Sequence, residues 1–221
     1  MTRLDGALKR GLDLLISSVA IAVLSPLLLV IALAVKVGSA GPALYRGVRV
    51  GVGGRRFRML KFRTMVVGAD GLGGPSTADA DPRITPVGQY LRRYKLDELP
   101  QLINVLKGEM SLIGPRPEVP QYVAMFTEEE RQILAVRPGI TDLATLWNAD
   151  EGAVLAGADD PERAYLELIR PRKIQLQLEY VRGRSCRIDL WILWQTILTV
   201  ALRRRPKALC AAGEAPRRAT A

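Results

Sequence analysis

The chain has 221 residues, 32 Lys and Arg against 22 Asp and Glu, a formal charge of +10 and no His, a length that suits one compact domain with appendages rather than two full-sized ones. The lack of His excludes Ser-His-Asp and Cys-His catalysis and His-ligated zinc, and the isolated Cys186 and Cys210 make neither a CxxC motif nor a disulfide framework. Chemistry must therefore rest on carboxylates, Lys and Arg, hydroxyls, backbone dipoles or a hard metal ion, while the excess charge predicts an anionic partner (nucleic acid, membrane surface or phosphorylated substrate) and a mean hydropathy of +0.10 points to membrane contact.

Residues 14–35, LLISSVAIAVLSPLLLVIALAV, carry no charge. A helix needs about 20 apolar residues to cross a bilayer, so this run is long enough. It is long for the apolar part of a secretory signal, and Lys36 follows it directly. Pro26 in its middle lacks a backbone donor and predicts a kink, where the Ser25 hydroxyl can take up a freed carbonyl. Basic residues lie on both flanks: Arg3, Lys9 and Arg10 before, Lys36, Arg46, Arg49, Arg55 and Arg56 after. Two arrangements satisfy this pattern. One is an ordinary kinked span. The other enters and leaves by the cytoplasmic face, turning at Ser25-Pro26, because basic flanks prefer that side.

Residues 43–65 read as a β-hairpin around the glycines of 51–54, which lack a full GxGxxG or GK[ST] pattern and so count as turn chemistry. Residues 67–81, rich in Gly, Asp, Ser and Pro, read as a mobile surface loop. Thr85-Pro86 opens a short helix running to about Tyr94, and a second helix follows residues 96–100 and stops at Gly108. Thr127 with Glu130 forms a capping box, Asp160-Pro161 opens a further helix that Pro171 interrupts, and 172–181 is helical. Residues 188–202 form an apolar helix of about four turns at 1.5 Å per residue, short for a span, which suits core filling or a bilayer interface. The tail, 203–221, is basic, Ala-rich and predicted to be disordered. The fold class expected is mainly α with a small β-hairpin (α+β), in three parts: a membrane helix over 1–37, a catalytic domain over 38–202 and the tail.

One region concentrates charge. Asp97 and Glu98 are adjacent, preceded by Arg92, Arg93 and Lys95 and followed by Pro100 and the stiff Gly114-Pro115-Arg116-Pro117 segment, with Lys61 and Arg63 on a second basic stretch. A carboxylate pair is commonly just a solvated helix N-terminus. Set among cations, however, two carboxylates suit phosphoryl transfer: one attacks phosphorus, the other holds Mg²⁺, and Arg and Lys neutralise the transferred group.

The set KFRTM (61–65), RITPVGQYLRRYKLDELPQLINVLKGEMSLIGPRP (83–117) and RPGIT (137–141) resembles the bacterial sugar transferases, and within them the small monotopic polyprenyl-phosphate phosphoglycosyl transferases. The likeness runs from about Lys9 to Leu202. It implies a re-entrant membrane helix bent at a Ser-Pro pair, which Ser25-Pro26 matches, in a monotopic protein of the bacterial inner membrane with its catalytic domain on the cytoplasmic face. It implies that Asp97 attacks the β-phosphate of a nucleoside diphosphate sugar, expelling the nucleoside monophosphate, and that the phosphosugar then passes to a polyprenyl phosphate. Glu98, with Asp97, is implied as the Mg²⁺ site, with Lys61, Arg63 and Arg92 near the phosphates and Arg116 on the nucleotide diphosphate. The family's multi-span N-terminal region is missing, which implies the small catalytic-core form. The chain departs from the family pattern at Asp142–Asn148, where a Trp-Gln-Val-x-Gly-Arg-like segment is usual. It also departs near Gln177, where a carboxylate is common and Glu179 is the nearest candidate. Both departures bear on the sugar rather than the chemistry. Two other classes remain: a non-catalytic scaffold of polysaccharide assembly, and a membrane-tethered nucleic-acid binder, though aromatics to stack on bases make up only 5 % of the chain.

Overall fold

In the computed structural model, which describes residues 3–74, 76–78, 81–148 and 151–202, the chain is mainly helical with two small two-stranded sheets. The expected tail lies outside the described residues. Helix α1, Arg3–Gly38, is 36 residues long, so it extends about 54 Å at 1.5 Å per residue. It is the one helix among the described residues long and apolar enough to cross a membrane.

The helix continues through Ser25-Pro26, so the expected break is not seen as an interruption. The reason is local chemistry. Pro26 cannot donate to the carbonyl four residues back, on Ala22, and the Ser25 hydroxyl donates to that same carbonyl at 2.8 Å. One stripe of α1 is inward: Asp13, Ser17, Ile31 and Val35 are buried. The opposite side, with Leu15, Val19, Val23, Leu29 and Leu33, is exposed and apolar. Polar anchors hold the first turns: Lys9 Nζ donates to Asp189 (2.7 Å) and to the Ile113 carbonyl (2.9 Å), and Asp13 accepts from the Leu112 amide (3.1 Å). Farther along, Ile31 and Val35 pack with Phe62 and Leu91. Both halves of the N-terminal helix thus pack against the rest of the described chain.

Strands β1 (Leu44–Val50) and β2 (Arg56–Phe62) form the expected antiparallel hairpin, registered Leu44 to Phe62 and Val50 to Arg56. Gly53 and Gly54 hold positive φ in its turn, the conformation that excludes most side chains. Thr85 caps α2 (Pro86–Arg93) by accepting from the Gly88 amide at 3.0 Å, and α3 (Gln101–Lys107) ends at Gly108 with φ 83°, both as expected. A second sheet was not foreseen: β3 (Ser111–Ile113) and β4 (Gly139–Thr141) pair in parallel. Each is three residues long, too short to show alternation.

The loop after the hairpin lies at the surface and is anchored at several points in its described part. Ser76 is buried with its hydroxyl 2.9 Å from the Tyr122 hydroxyl, and Arg83 binds Asp81 and the Ala69 carbonyl. The Thr127–Glu130 capping box forms, but opens a 3₁₀ turn over Glu130–Ala135 rather than an α-helix. Downstream come α4 (Pro120–Ala124), α5 (Leu143–Trp147), α6 (Glu151–Leu155), α7 (Pro161–Ala164), α8 (Arg170–Gly183) and α9 (Cys186–Leu202). Pro171 does not interrupt the helical path. A π turn over Tyr165–Ile169 joins α7 to α8, placing Pro171 in a first turn, where its missing N–H costs little. Helix α9 fills the core on one side through Ile192, while Leu190, Trp194 and Ile197 stay exposed on the other. The main core gathers Met110, Leu146, Leu155, Ile169 and Leu176 with it.

The parallel pair brings two backbones so close that a Cβ on Gly139 would fall on the backbone of Gly114. Gly139→Ala is therefore expected to destabilise the protein by about 1–3 kcal/mol or more, because neither strand can yield. The apparent melting temperature in detergent, beside that of the parent, checks this.

Candidate active site

The dyad lies on a 3₁₀ turn, Leu96–Glu98, between α2 and α3. Lys95 precedes it with φ 56°, the one non-glycine in the left-handed region among the described residues, and this reverses the chain after α2. The following helix is locked to the hairpin by Asn104, which is fully buried. Its side-chain oxygen accepts from the Leu60 amide (2.9 Å), and its nitrogen donates to the Arg58 carbonyl (2.9 Å) and to Glu109 (2.7 Å). That clamp fixes strand β2, and so Lys61, relative to the dyad.

Lys61 Nζ stands 2.8 Å from Glu98 Oε1 and 3.9 Å from Asp97 Oδ2. Arg116 reaches Glu98 with both guanidinium nitrogens, Nη1 at 2.9 Å to Oε2 and Nη2 to Oε1. Arg116 is itself held from behind. Its backbone amide donates to Asp142 Oδ2 (3.0 Å) and Nη1 to the Ile140 carbonyl (3.1 Å), while Gln177 donates to Asp142 at 3.1 Å and to the Arg116 carbonyl at 3.3 Å. Asp142 is wholly buried. Asp142 is thus the carboxylate that Gln177 meets, while Glu179 is half-exposed and pairs with Arg172.

Adjacent in sequence, the two carboxylates are electrostatically opposite. Burial raises Asp97 above the ordinary carboxylate range, and Glu98 beside it adds to this, more than Lys61 and Arg92 lower it. Burial pushes Glu98 the same way, but Arg116 and Lys61 overwhelm it and hold the group well below its usual value. Burial lowers Lys61, partly offset by Glu98. Among the described residues Asp97 makes no side-chain hydrogen bond, whereas Glu98 is gripped from two sides.

These groups open onto one cleft of about 2530 Å³, which Arg92 also lines. Arg63 borders it too, but its guanidinium is spent elsewhere. It is buried and donates to the Ser39 carbonyl at 2.8 Å and to the Ala40 carbonyl, capping the end of α1. The expected role of Arg63 beside the phosphates gives way to this anchor, because the carbonyls at the end of α1 need donors. Sequence reasoning missed a second buried cluster on the cleft wall. Lys173 Nζ pairs with Glu118 Oε1 at 2.7 Å and donates to the Tyr165 hydroxyl at 3.1 Å. Burial would lower Lys173, yet Glu118 and Tyr165 raise it well above its usual value. The three residues are 47 to 55 positions apart along the chain or on separate turns, so no local pattern announces them.

Residues 4–203 match the family described as bacterial sugar transferase. The chain belongs to the bacterial sugar transferase family. It is 39% identical over 198 residues to a UDP-N-acetylgalactosamine-undecaprenyl-phosphate N-acetylgalactosaminephosphotransferase of Aeromonas hydrophila, covering 87% of this chain and 43% of that protein. It is also 39% identical over 215 residues to a UDP-glucose:undecaprenyl-phosphate glucose-1-phosphate transferase of Caulobacter vibrioides, covering 91% of this chain and 69% of that one. A third relative, the exopolysaccharide production protein ExoY of Sinorhizobium fredii, is 34% identical over 216 residues, 91% of this chain and 88% of its own length. This family member thus spans less than half of the Aeromonas relative and most of ExoY.

The depressed Glu98 group has a folded value below its unfolded one, so its contribution to stability is present above the unfolded value and is lost as pH falls through the folded value. Glu98→Gln, which leaves two partly buried cations without their anion, is expected to cost about 1–3 kcal/mol at neutral pH. The deficit should narrow once pH drops below the ordinary glutamate value of about 4.3. Thermal unfolding of both proteins from neutral to acid pH tests the sign and the size.

Proposed function

We propose that this chain transfers a sugar-1-phosphate from a uridine diphosphate sugar to a polyprenyl phosphate such as undecaprenyl phosphate, through a covalent phosphosugar on Asp97, as an early membrane step in building a bacterial glycan. The observation that carries this reading is the unequal treatment of the dyad. Glu98 is gripped by Lys61 and Arg116, while Asp97 lines the same cleft with no side-chain hydrogen bond among the described residues and with Lys61 Nζ 3.9 Å away. The free carboxylate suits a nucleophile and the gripped one suits a fixed charge.

In the first displacement an Asp97 oxygen forms a bond to the β-phosphorus. The bond from that phosphorus to the oxygen bridging the two phosphates breaks, and the nucleoside monophosphate leaves with the electron pair. In the second, an oxygen of the lipid phosphate attacks the same phosphorus and the bond to Asp97 breaks, restoring the carboxylate. Both nucleophiles arrive as anions, so no His base is needed. Lys61, Arg92 and Arg116 offset the charge gathered on the transferred group. Asp97 and Glu98 are hard oxygen donors that fit Mg²⁺, which takes one or two carboxylates and fills its shell with substrate phosphate oxygens and water. No cluster of three metal-ligating side chains occurs among the described residues, so the substrate would complete the shell. Bound there, the ion supplies further charge neutralisation.

The relatives' names, which give UDP-sugars and undecaprenyl phosphate, support the choice of donor and acceptor. The convergence of the cleft's cations on carboxylates favours this reading over a nucleic-acid face or a scaffold. For α1 we propose re-entrant insertion at the cytoplasmic face of the inner membrane. Its support is that Lys9 and Asp13 at one end, and Ile31 and Val35 toward the other, rest on one catalytic unit, while the remaining surface is apolar.

Asp97→Asn is expected to abolish both turnover and the phosphosugar adduct seen by intact-protein mass spectrometry; nucleoside monophosphate release at parental rate by a purified Asp97→Asn sample would falsify the nucleophile assignment. A Cys introduced near residue 5 should resist impermeant reagents in intact spheroplasts, and its labelling from outside would sink the re-entrant arrangement.

A further inference from the structure

Two kinds of buried polar group line the cleft. Glu118, Lys173 and Tyr165 satisfy one another, as described above. Trp147 and Asn148 do not. Trp147 is 5% exposed and Asn148 8%, yet among the described residues the indole Nε1 and both polar atoms of the Asn148 carboxamide have no hydrogen-bond partner, and both residues line the cleft. Buried polar groups in folded proteins are overwhelmingly paired, so a donor and a whole carboxamide left unpaired in residues that line a binding cleft call for a partner.

Their place relative to the dyad is set by the backbone. Helix α5 begins at its cap Asp142, whose Oδ1 accepts from the Thr145 amide at 2.6 Å and whose Oδ2 accepts from the Arg116 amide. The start of α5 is therefore tied to the residue that grips Glu98. The helix is five residues long, about 7–8 Å at 1.5 Å per residue, and Trp147 and Asn148 stand at its far end. The Asn148 backbone is fixed there by its own amide, which donates to the Ala144 carbonyl at 2.9 Å. A group joined to a phosphate at Arg116 and one ring in size would reach them.

We propose that Trp147 and Asn148 form the subsite for the pyranose of the nucleotide sugar and discriminate among sugars by their hydroxyl or acetamido groups. The inference rests on the transfer reaction proposed above. A carboxamide offers two donors and an acceptor, which match sugar hydroxyls that both donate and accept. An indole adds one donor, while its ring packs in the main core and holds that donor in place. A phosphate would leave the carboxamide oxygen without a donor. A polyprenyl chain is also wrong, having nothing to bond. Relatives equally identical to this chain, at 39%, bear the names of different sugars, which suits selection by a few side chains.

The test uses the full chain in detergent with undecaprenyl phosphate and a panel of UDP-hexoses and UDP-N-acetylhexosamines, reading UMP release, with UDP as a competitive inhibitor. Asn148→Ala is expected to lower kcat/KM for the preferred sugar by about 10- to 100-fold and to collapse its advantage over the others. Inhibition by UDP, which has no sugar, should stay within about twofold, a margin far below the loss of a hydrogen-bonding group. Trp147→Phe keeps the ring and loses the N–H, so a smaller loss in the same direction is expected; if Asn148→Ala fails to fold, this variant and Asn148→Gln carry the test. An equal fall for every sugar with their ratios unchanged overturns the assignment, as does a parallel weakening of UDP, which would place these side chains on the nucleoside. If the parent releases UMP from no UDP-sugar, the transfer reading fails by itself. The subsite is then read from thermal shift: UDP-sugar should stabilise the parent more than UDP does, and Asn148→Ala should erase that difference; equal shifts by both ligands on the parent overturn it.

Discussion

The Glu98 carboxylate, partly buried and bound at once by Lys61 and Arg116, is the interaction on which the rest of the structure depends. Two neighbouring carboxylates cannot be buried as anions without cations brought to them. Those cations come from the hairpin and from the Gly-Pro-Arg-Pro segment, and much of the remaining architecture serves to deliver them. Asn104 ties the strand bearing Lys61 to the helix after the dyad. Asp142 and Gln177 hold the backbone of Arg116, and the close approach of Gly114 and Gly139 sets the segment that carries it. Because both cations favour Glu98, Asp97 is left raised and unbound beside it. A difference of role between two adjacent acids thus arises from where two distant cations point.

The N-terminal helix shows the same economy. Its membrane character comes from an outward apolar surface, while its inward stripe is partly polar and built into the catalytic unit. Lys9 joins Asp189, which also accepts from Tyr180 at 2.7 Å, and Arg10 donates to the Val105 carbonyl at 2.8 Å at the end of α3. The apolar N-terminal helix is therefore also a wall of the fold that positions the dyad. Proline inside it is tolerated because Ser25, one residue earlier, repairs the carbonyl that Pro26 leaves open.

Local signals in the sequence were legible where local physics decides the outcome. The hairpin follows from its glycine turn, α2 from Thr85-Pro86, the end of α3 from Gly108 and the cap at Asp160 from its own side chain. The strands β3 and β4 were not legible, since three residues are too few to carry a period and their pairing joins positions 28 residues apart. The 3₁₀ turn after Thr127 and the π turn before Pro171 were read as ordinary helix because a cap marks where a helix starts, not how it winds.

By itself the sequence determined the chemistry available: no imidazole, an adjacent pair of acids among cations, and an apolar segment with basic flanks and a Ser-Pro pair. Those are properties of residue type and spacing along the chain. Only the tertiary structure decided which basic side chain does what. Arg63, two residues from Lys61, turns away to cap α1, while Arg116, 18 residues from Glu98, turns toward it. It also decided that Asp142 meets Gln177, and that Trp147 and Asn148, which line the cleft, are unpaired among the described residues. The physical reason is that hydrogen bonds and ion pairs act over about 3–4 Å, so partners are chosen by which surfaces packing brings together, not by their order in the chain.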